Sequence, residues 1–220
     1  MALKHSRRER AGAVRDLKRN LILEAARRVF EVEGLDGASL RAIAAEAGYT
    51  PAALYFHFDS KEAIYAEVLR SSLAGLREAV ECAVSPRVDP AERLHAAAMT
   101  FFRFYADNPR DLDLGFYLFR GGMRPQGLGP DRDEQLNAAL AAALRPISDA
   151  ALAMGSAPEE ANVLLVDVFA HAVGLLLLAH TGRIRMFETS ASERMEQYVD
   201  ACIGQLHRRW RNSPPDGSPK

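Results

Sequence analysis

The sequence predicts an all-α protein of about nine helices. Apolar residues recur at steps of three and four along most of the 220 residues, which is the period of an amphipathic helix. No stretch keeps the alternation of a half-buried strand long enough to predict one, and no repeat of about 20 to 50 residues is visible. Residues that start or end helices, such as Ser39, Thr50 and Pro90, stand between the periodic runs.

Two helices are predicted first. The first starts near Leu21, carries its apolar residues on one face and stops near Gly34. Ser39 is placed as the N-cap of the second, which covers only two turns before Gly48.

A third helix and the start of a fourth follow without a gap. Thr50 is placed as an N-cap with Pro51 in the first helical position, and the helix can extend only to about Phe56. Asp59 and Ser60 supply the cap of the fourth helix. Two short helices joined by a glycine turn and braced by a longer one form a helix-turn-helix pattern, whose second helix fits a DNA major groove.

The rest of the chain is predicted to be helical as well. The later helices are expected at 89–108, 111–120, 134–153, 156–179 and 189–211, the third of them interrupted or bent near Pro146. The expected organisation is a basic flexible arm (1–20), a helix-turn-helix domain (21–66), a larger helical ligand-binding and dimerisation domain (67–211) and a disordered tail (212–220).

Charge is distributed unevenly although the formal net charge is only -1. The first 28 residues hold nine Lys and Arg against three acids, which fits either a solvated tail or a polyanion-binding segment. The N-terminus lacks the apolar stretch of a secretory signal, and the two cysteines have no metal-type spacing, so we expect a cytoplasmic protein. The apolar run 163–179 is short and contains Asp167 and His171, which favours a buried helix over a membrane span.

Several spaced motifs resemble one known family. The first helix ends in VF followed by a glycine, the second reads SLRAIAAEAG, and LYFHFDSKEAI follows the third. Together these elements resemble the DNA-binding domain of the TetR family of transcriptional repressors, over roughly a quarter of the chain. The resemblance implies a homodimer that pairs through its last two helices and is released from a double-stranded DNA operator by a small-molecule effector.

The resemblance also implies which residues contact DNA. They are Arg41, Thr50, Pro51, Ala52, Ala53, Tyr55, His57 and Lys61. Tyr55, His57 and Lys61 can each donate a hydrogen bond to a phosphate oxygen. Residues 50–53 offer one polar side chain, so base discrimination is expected to come partly from Arg41 and from arginines of the N-terminal arm. The neighbouring Leu54, Phe56 and Phe58 are expected in the core.

An effector site is harder to locate. Aromatic residues concentrate between 101 and 123 and fit either a pocket lining or a helical core. The candidate ligand-binding residues are Phe102, Tyr105, Phe116, Arg120 and His171. Asp167 and His171 lie at i and i+4, and a mutual hydrogen bond is favoured over a metal site because two ligands do not complete one.

Other classes of protein have less support. No GxSxG, HExxH or phosphate-binding glycine loop is present, so we predict no enzyme activity, cofactor or metal. The interpretation favoured by the sequence is a repressor responsive to an apolar or aromatic-bearing molecule that can also be anionic. An all-α enzyme and a helical interaction module that does not bind an operator stay as alternatives.

Overall fold

The computed structural model describes residues 2–115 and 128–212. Nine α-helices, one 3-10 helix and no strand are found in these residues, which confirms the predicted fold class. The α-helices are α1 (Ala2–Gly37), α2 (Leu40–Glu46), α3 (Pro51–Tyr55), α4 (Lys61–Val84), α5 (Pro90–Asp107), α6 (Pro109–Gly115), α7 (Pro130–Ala153), α8 (Pro158–His180) and α9 (Ala191–Asn212).

The chain divides into two compact units whose boundaries differ from the predicted ones. The first unit comprises Met1–Ser72 and Arg110–Leu136, and the second comprises Leu73–Pro109 and Asn137–Lys220. Helix α4 supplies residues to both. Residues 110–115 of α6 lie in the first unit, where they are bonded to α1 and α4.

Helix α1 is longer than expected. It begins at Ala2, so residues 2–20 are helical where the sequence suggested a flexible arm. These residues include no proline and a single glycine, Gly12, so nothing in them interrupts the helix. The regular helix breaks at Gly34, as predicted, because its φ of 70° and ψ of 179° are accessible only to glycine.

The caps of the three following helices are formed by small polar side chains. The Ser39 hydroxyl accepts a hydrogen bond from the Ala42 amide at 3.1 Å, and the Thr50 hydroxyl accepts one from Ala53 at 3.3 Å. The Ser60 hydroxyl accepts from the Ala63 amide at 3.1 Å, so Ser60 rather than Asp59 caps α4. Gly48 makes the turn between α2 and α3 with a φ of 71°.

The core of the first unit is built from α1 to α4. The rings of Phe30 and Tyr65 meet edge to face with centroids 4.7 Å apart, and Leu54 and Phe58 are buried as predicted. The expectation for Phe56 is wrong, since this ring is 90% exposed. Leu54 and Phe58 are four residues apart and share the inner face, whereas a residue two positions from each of them points to the opposite side.

Helix α6 is fixed to the first unit by polar contacts. The Tyr65 hydroxyl donates to the Leu114 carbonyl at 2.7 Å inside the core. The buried Asp111 carboxylate pairs with Arg27 of α1 at 2.9 Å. A further ion pair of 3.0 Å joins Arg110 and Glu31. These contacts explain why α6 groups with α1 and α4.

The second unit packs α5 against α8 and α9. Asp89 caps α5, and Asn108 ends it, as predicted. Helix α7 begins at Pro130 and continues through Pro146 without a break, so the predicted interruption is absent. A 3-10 helix, Arg183–Phe187, stands between α8 and α9 where only a short loop was expected.

Helix α8 is strongly apolar, yet little of it is buried inside the chain. It is long and apolar enough to cross a membrane by length and composition alone, with a mean hydropathy of 2.1 over its most apolar window. Core helices of soluble proteins pass the same criterion. Only 22% of that window is buried inside the chain, so much of its apolar surface is open.

Candidate nucleic-acid interface

Helix α3 presents its first turn to solvent. Thr50, Pro51 and Ala52 are exposed and Ala53 is half-buried, while Leu54 anchors the helix to the core. The Thr50 hydroxyl oxygen accepts the capping bond from the Ala53 amide, and its own O–H remains a donor for a base or phosphate acceptor. The exposed end of α3 is therefore mostly apolar and offers one polar side chain.

The chain leaving α3 adds aromatic and imidazole groups. Tyr55 is 61% exposed, Phe56 is 90% exposed and His57 is half-buried. Tyr55 and His57 supply the donors that the sequence predicted for phosphate oxygens. Phe56 was not expected at this surface, although its spacing of two from Leu54 signals an outward direction.

These three residues line a pocket of about 440 Å³ within the first unit. Its other walls come from α1, α4 and the first turns of α7, where Arg132, Gln135 and Leu136 lie. Arg19 of α1 reaches across the pocket to lie over the Phe58 ring, 4.6 Å from its centroid. The pocket thus joins the N-terminal half of α1 to the surface formed by Tyr55, Phe56 and His57.

Ion pairs organise the charge around this pocket. Glu67 of α4 pairs with Arg19 at 3.0 Å and also accepts from Arg70. Burial raises the pKa of Glu67, but the hydrogen bonds and charges of Arg70 and Arg19 outweigh that effect and leave the pKa below its ordinary value. Arg132 pairs with Asp59 at 3.5 Å. Three arginines face two carboxylates, so the pocket carries a positive surplus.

Lys61 is occupied by contacts within the protein. Its Nζ donates to the carbonyl oxygens of Leu35, Asp36 and Ala38 at 2.9, 3.3 and 3.2 Å. An ammonium group has three protons, so these carbonyls use all of them. The predicted phosphate contact of Lys61 stays a prediction, and the geometry gives the side chain a second role in holding the C-terminal end of α1 after the Gly34 break.

Arg41 lies on the exposed side of α2. On the neighbouring turn, Arg28 of α1 pairs with Glu46 of α2 at 2.6 Å and ties the two helices together. Arg41 is therefore exposed on a braced helix, as a contact residue requires.

The predicted effector residues divide into separate places. Phe102 and Tyr105 are buried on α5, where the Tyr105 ring meets Phe101 at 5.3 Å. His180 Nε2 lies 3.2 Å from the Tyr105 carbonyl oxygen. Phe116 and Arg120 lie outside the described residues. The structure therefore supports a core position for Phe102 and Tyr105 and leaves their ligand contact as a prediction.

His171 contacts α9. Its ring stacks on Tyr198 with centroids 3.9 Å apart, and its Nε2 is buried without a hydrogen-bond partner. That nitrogen does not form the expected bond to Asp167. Burial, together with the charge of Arg194, holds the pKa of His171 below its ordinary value. Burial, the neighbouring Cys202 and the charge of Asp167 raise the pKa of Tyr198 to about 12.

The fold of the first unit contains a helix-turn-helix arrangement, formed by α2, the Gly48 turn and α3. The family model described as "Bacterial regulatory proteins, tetR family" matches residues 22–68, which are the helices just described. This match confirms the resemblance of residues 22–68 to the TetR family.

Curated relatives match over less than half of this chain. The transcriptional activator FasR of Mycolicibacterium smegmatis is 38% identical over 90 residues, covering 41% of this chain and 41% of the relative. The uncharacterized transcriptional regulator YdgC of Bacillus subtilis is 33% identical over 105 residues, covering 46% and 53%. The chain spans about half the length of the curated relatives it matches.

Solved structures extend the similarity of fold to most of the chain. A regulatory protein in the tetR family from Rhodococcus RHA1 has a TM-score of 0.65 at 18% identity, over 86% of this chain and 96% of that one. The transcriptional regulator FadR from Bacillus subtilis, in complex with stearoyl-CoA, has a TM-score of 0.63 at 15% identity, over 84% and 96%. At these identities the likeness concerns the fold.

Proposed function

We propose that the chain is a transcriptional regulator that binds double-stranded DNA as a homodimer and responds to a small molecule. The observation that carries the proposal is the surface of α3 and its C-terminal turn. It combines an exposed first turn for the major groove with Tyr55 and His57 at its side. We propose that the protein binds DNA in the cytoplasm.

The chemistry of this surface favours strong anchoring over strong base discrimination. Tyr55 and His57 donate to phosphate oxygens, which position a protein on the duplex without identifying its sequence. Pro51, Ala52 and Ala53 can pack against a thymine methyl but cannot form bidentate contacts. Thr50 and Arg41 are therefore the residues that we assign to sequence discrimination.

Binding of duplex DNA selected from a random pool by the wild-type protein tests the assignment. The variant Tyr55→Phe with His57→Gln should bind selected and unselected duplexes about tenfold or more weakly, and its log–log salt dependence should become shallower by about 0.9 for each phosphate that it no longer contacts. His95→Gln is the matched control, since it makes the same imidazole replacement on α5 of the second unit. Failure of the wild-type protein to select any sequence, or equal binding by the variant and the control, would contradict the proposal.

The homodimer is proposed to form through α8 and α9. Val163, Val166, Ala170, Gly174 and Leu177 recur along one exposed face of α8. Such a face is typical of a helix that is buried on a partner subunit. Two recognition helices of a dimer would then enter successive major grooves about 34 to 36 Å apart.

Sedimentation separates this dimer from a monomer. Val166→Glu places a charge in the proposed interface and should shift the protein to a monomer that binds the selected duplex much more weakly. Leu152→Glu is the control, because it places the same charge on a leucine of another helix, α7, that is 42% exposed. A Val166→Glu protein that stays dimeric would exclude α8 as the interface.

The effector is proposed to be an apolar or aromatic-bearing molecule that can carry an anionic group. Phe102, Tyr105, Phe116, Arg120 and His171 are the candidate contacts. Stearoyl-CoA, which the Bacillus subtilis FadR structure contains, has this chemistry and is a suitable first probe. We call the helix-turn-helix domain (21–66) the headpiece. A ligand that binds better to a dimer conformer in which the two headpieces are differently spaced would lower DNA affinity, with α4 as the mechanical link.

We propose repression as the direction of regulation. The relative FasR is named a transcriptional activator, so the family resemblance leaves the direction open. Transcription in vitro from a promoter that overlaps the selected duplex measures it directly. Lower transcript yield on addition of the protein, restored by the effector, is expected, whereas a higher yield would reverse the assignment.

A further inference from the structure

The N-terminal half of α1 continues a face that is part of the core further along the same helix. Ala26, Val29 and Phe30 are buried on this face, with exposed fractions of 0%, 8% and 1%. Eleven residues earlier in the sequence, at the same helical register, stand Arg15, Lys18 and Arg19. Eleven residues complete three helical turns to within about 20°, so the two sets share one side of α1.

A third set extends the pattern to the start of the helix. Lys4, Arg7 and Arg8 precede Arg15, Lys18 and Arg19 by another eleven residues. Helix α1 is continuous over these positions, and the two basic sets are therefore separated by about 16 Å along its axis. The helical positions that carry buried apolar residues late in α1 therefore carry Lys and Arg earlier in the same helix. We name the face that carries Arg15, Lys18 and Arg19 the basic face, and the positions of Lys4, Arg7 and Arg8 continue its register in the sequence.

Arg19 shows in which direction the basic face is turned. Its guanidinium lies over Phe58 and pairs with Glu67, and it lines the same pocket as Tyr55, Phe56 and His57. Arg15 and Lys18 lie just before it, within about one turn, and are exposed. The basic face is thus continuous with the surface that we assign to DNA phosphates.

The other sides of this segment carry one further cation, Arg10, which stands eleven residues before Leu21. Asp16 lies about 160° around the helix from Lys18. Val14, Leu17 and Leu21 form a separate exposed stripe, with exposed fractions of 52%, 60% and 43%. Positive charge is therefore concentrated on the side that also carries the phosphate donors.

From this arrangement we propose that the N-terminal half of α1 is a helical arm whose basic face binds the phosphate backbone of the DNA beside the groove that α3 enters. The proposal rests on the DNA-binding function proposed above and adds a second contact surface to it. A rigid helix holds its cations in one line, so the arm contributes sequence-independent affinity and salt dependence. Base discrimination stays with α2 and α3.

Charge removal at Arg15 and Lys18 of the basic face tests the contact. Arg15→Gln with Lys18→Gln should weaken binding to the wild-type-selected duplex and to unselected duplex by similar factors, about tenfold or more, and the salt slope should become shallower by about 0.9 for each phosphate no longer neutralised. Arg183→Gln with Arg185→Gln removes the same charge from exposed residues of the 3-10 helix and should leave the slope unchanged. Equal slopes for the two double variants would overturn the proposal.

Helix continuity is tested without altering charge. Ala13→Pro breaks α1 between the two basic sets and should reduce affinity for both duplexes while melting and circular dichroism of the headpiece are retained. Wild-type affinity of this variant would contradict a helical arm and favour a flexible one.

Binding to anionic phosphatidylglycerol vesicles, combined with unchanged DNA slopes, would instead assign the basic face to a membrane surface. A wild-type protein that binds no DNA at all would defeat the proposed function itself, which separates that failure from loss of the arm alone.

Discussion

Replacement of Lys61 by methionine distinguishes a structural role from a DNA-contact role. The substitution keeps most of the length of the side chain and removes the ammonium group that donates to Leu35, Asp36 and Ala38. If the C-terminal end of α1 depends on these bonds, the first unit should lose stability. If Lys61 serves only DNA phosphates, stability should be unchanged and DNA affinity alone should fall.

The magnitude follows from the three acceptors and their exposure. A hydrogen bond to a charged group contributes about 1.5 to 3 kcal/mol, but partly exposed carbonyls are rehydrated when the ammonium is removed. We therefore expect a total loss of about 2 to 3 kcal/mol rather than the sum of three bonds. For a chain of this size that corresponds to a fall in melting temperature of about 5 to 10 °C.

Two assays and one control complete the experiment. Urea unfolding followed by circular dichroism measures the free energy of unfolding, and amide hydrogen exchange in residues 35–38 localises the change to the C-terminal end of α1. Arg41→Met removes an exposed charge from the neighbouring α2 and should leave stability unchanged within about 0.5 kcal/mol. An unchanged melting temperature for Lys61→Met, together with a salt slope shallower by about 0.9 per protomer, would refute the structural reasoning.

Three further predictions concern other parts of the chain. Tyr65→Phe removes the buried hydrogen bond to the Leu114 carbonyl and should lower the free energy of unfolding by about 1 to 2 kcal/mol, measured in urea. Thr50→Ala should cost about 1 kcal/mol of capping energy and change the ranking of selected duplex variants in competition binding, whereas Thr50→Ser should keep the cap. His171 has a lowered pKa in the folded state, so the unfolded state takes up its proton first and stability should fall as pH drops below 6.5; His171→Phe should remove this part of the pH dependence.

Each of these three predictions has a result that contradicts it. Equal urea midpoints for Tyr65→Phe and the exposed control Tyr55→Phe would show that the Leu114 bond contributes nothing. An unaltered ranking of duplexes by Thr50→Ala would remove Thr50 from base discrimination. The same acid profile in wild-type protein and His171→Phe would mean that other groups cause the pH dependence.

The sequence predicted the headpiece well because its signals are local. Ser39 and Thr50 cap the helices that follow them, and Gly34 breaks α1, since each of these features depends on a few neighbouring residues. Leu54 and Phe58 were predicted in the core from the same short range. The candidate DNA residues follow from motif resemblance, and their exposure on α2 and α3 is compatible with it, but their contacts with DNA stay a prediction.

The predictions that the structure contradicts rest on local sequence patterns that are compatible with two different structures. Phe56 was assigned to the core as one of several aromatic residues, although only the direction of its side chain at the end of α3 decides its exposure. Residues 2–20 were expected to be flexible because they are highly charged, yet a charged segment without proline can also continue a helix. The grouping of α6 with the headpiece depends on Asp111 and Leu114, whose partners lie far away in sequence.

The sequence by itself determined the all-α class, the positions of most helices and the family of the headpiece, because helix periodicity and capping act over a few residues. Only the tertiary structure decided that Lys61 donates to three backbone carbonyls near the end of α1. The same holds for Arg19, which lies over Phe58 in the pocket that Tyr55 and His57 line. These contacts join residues far apart in the chain, and their geometry is set by the packing of several helices together. Local composition leaves that packing undetermined, so the second role of Lys61 and the direction of the basic face became visible only in three dimensions.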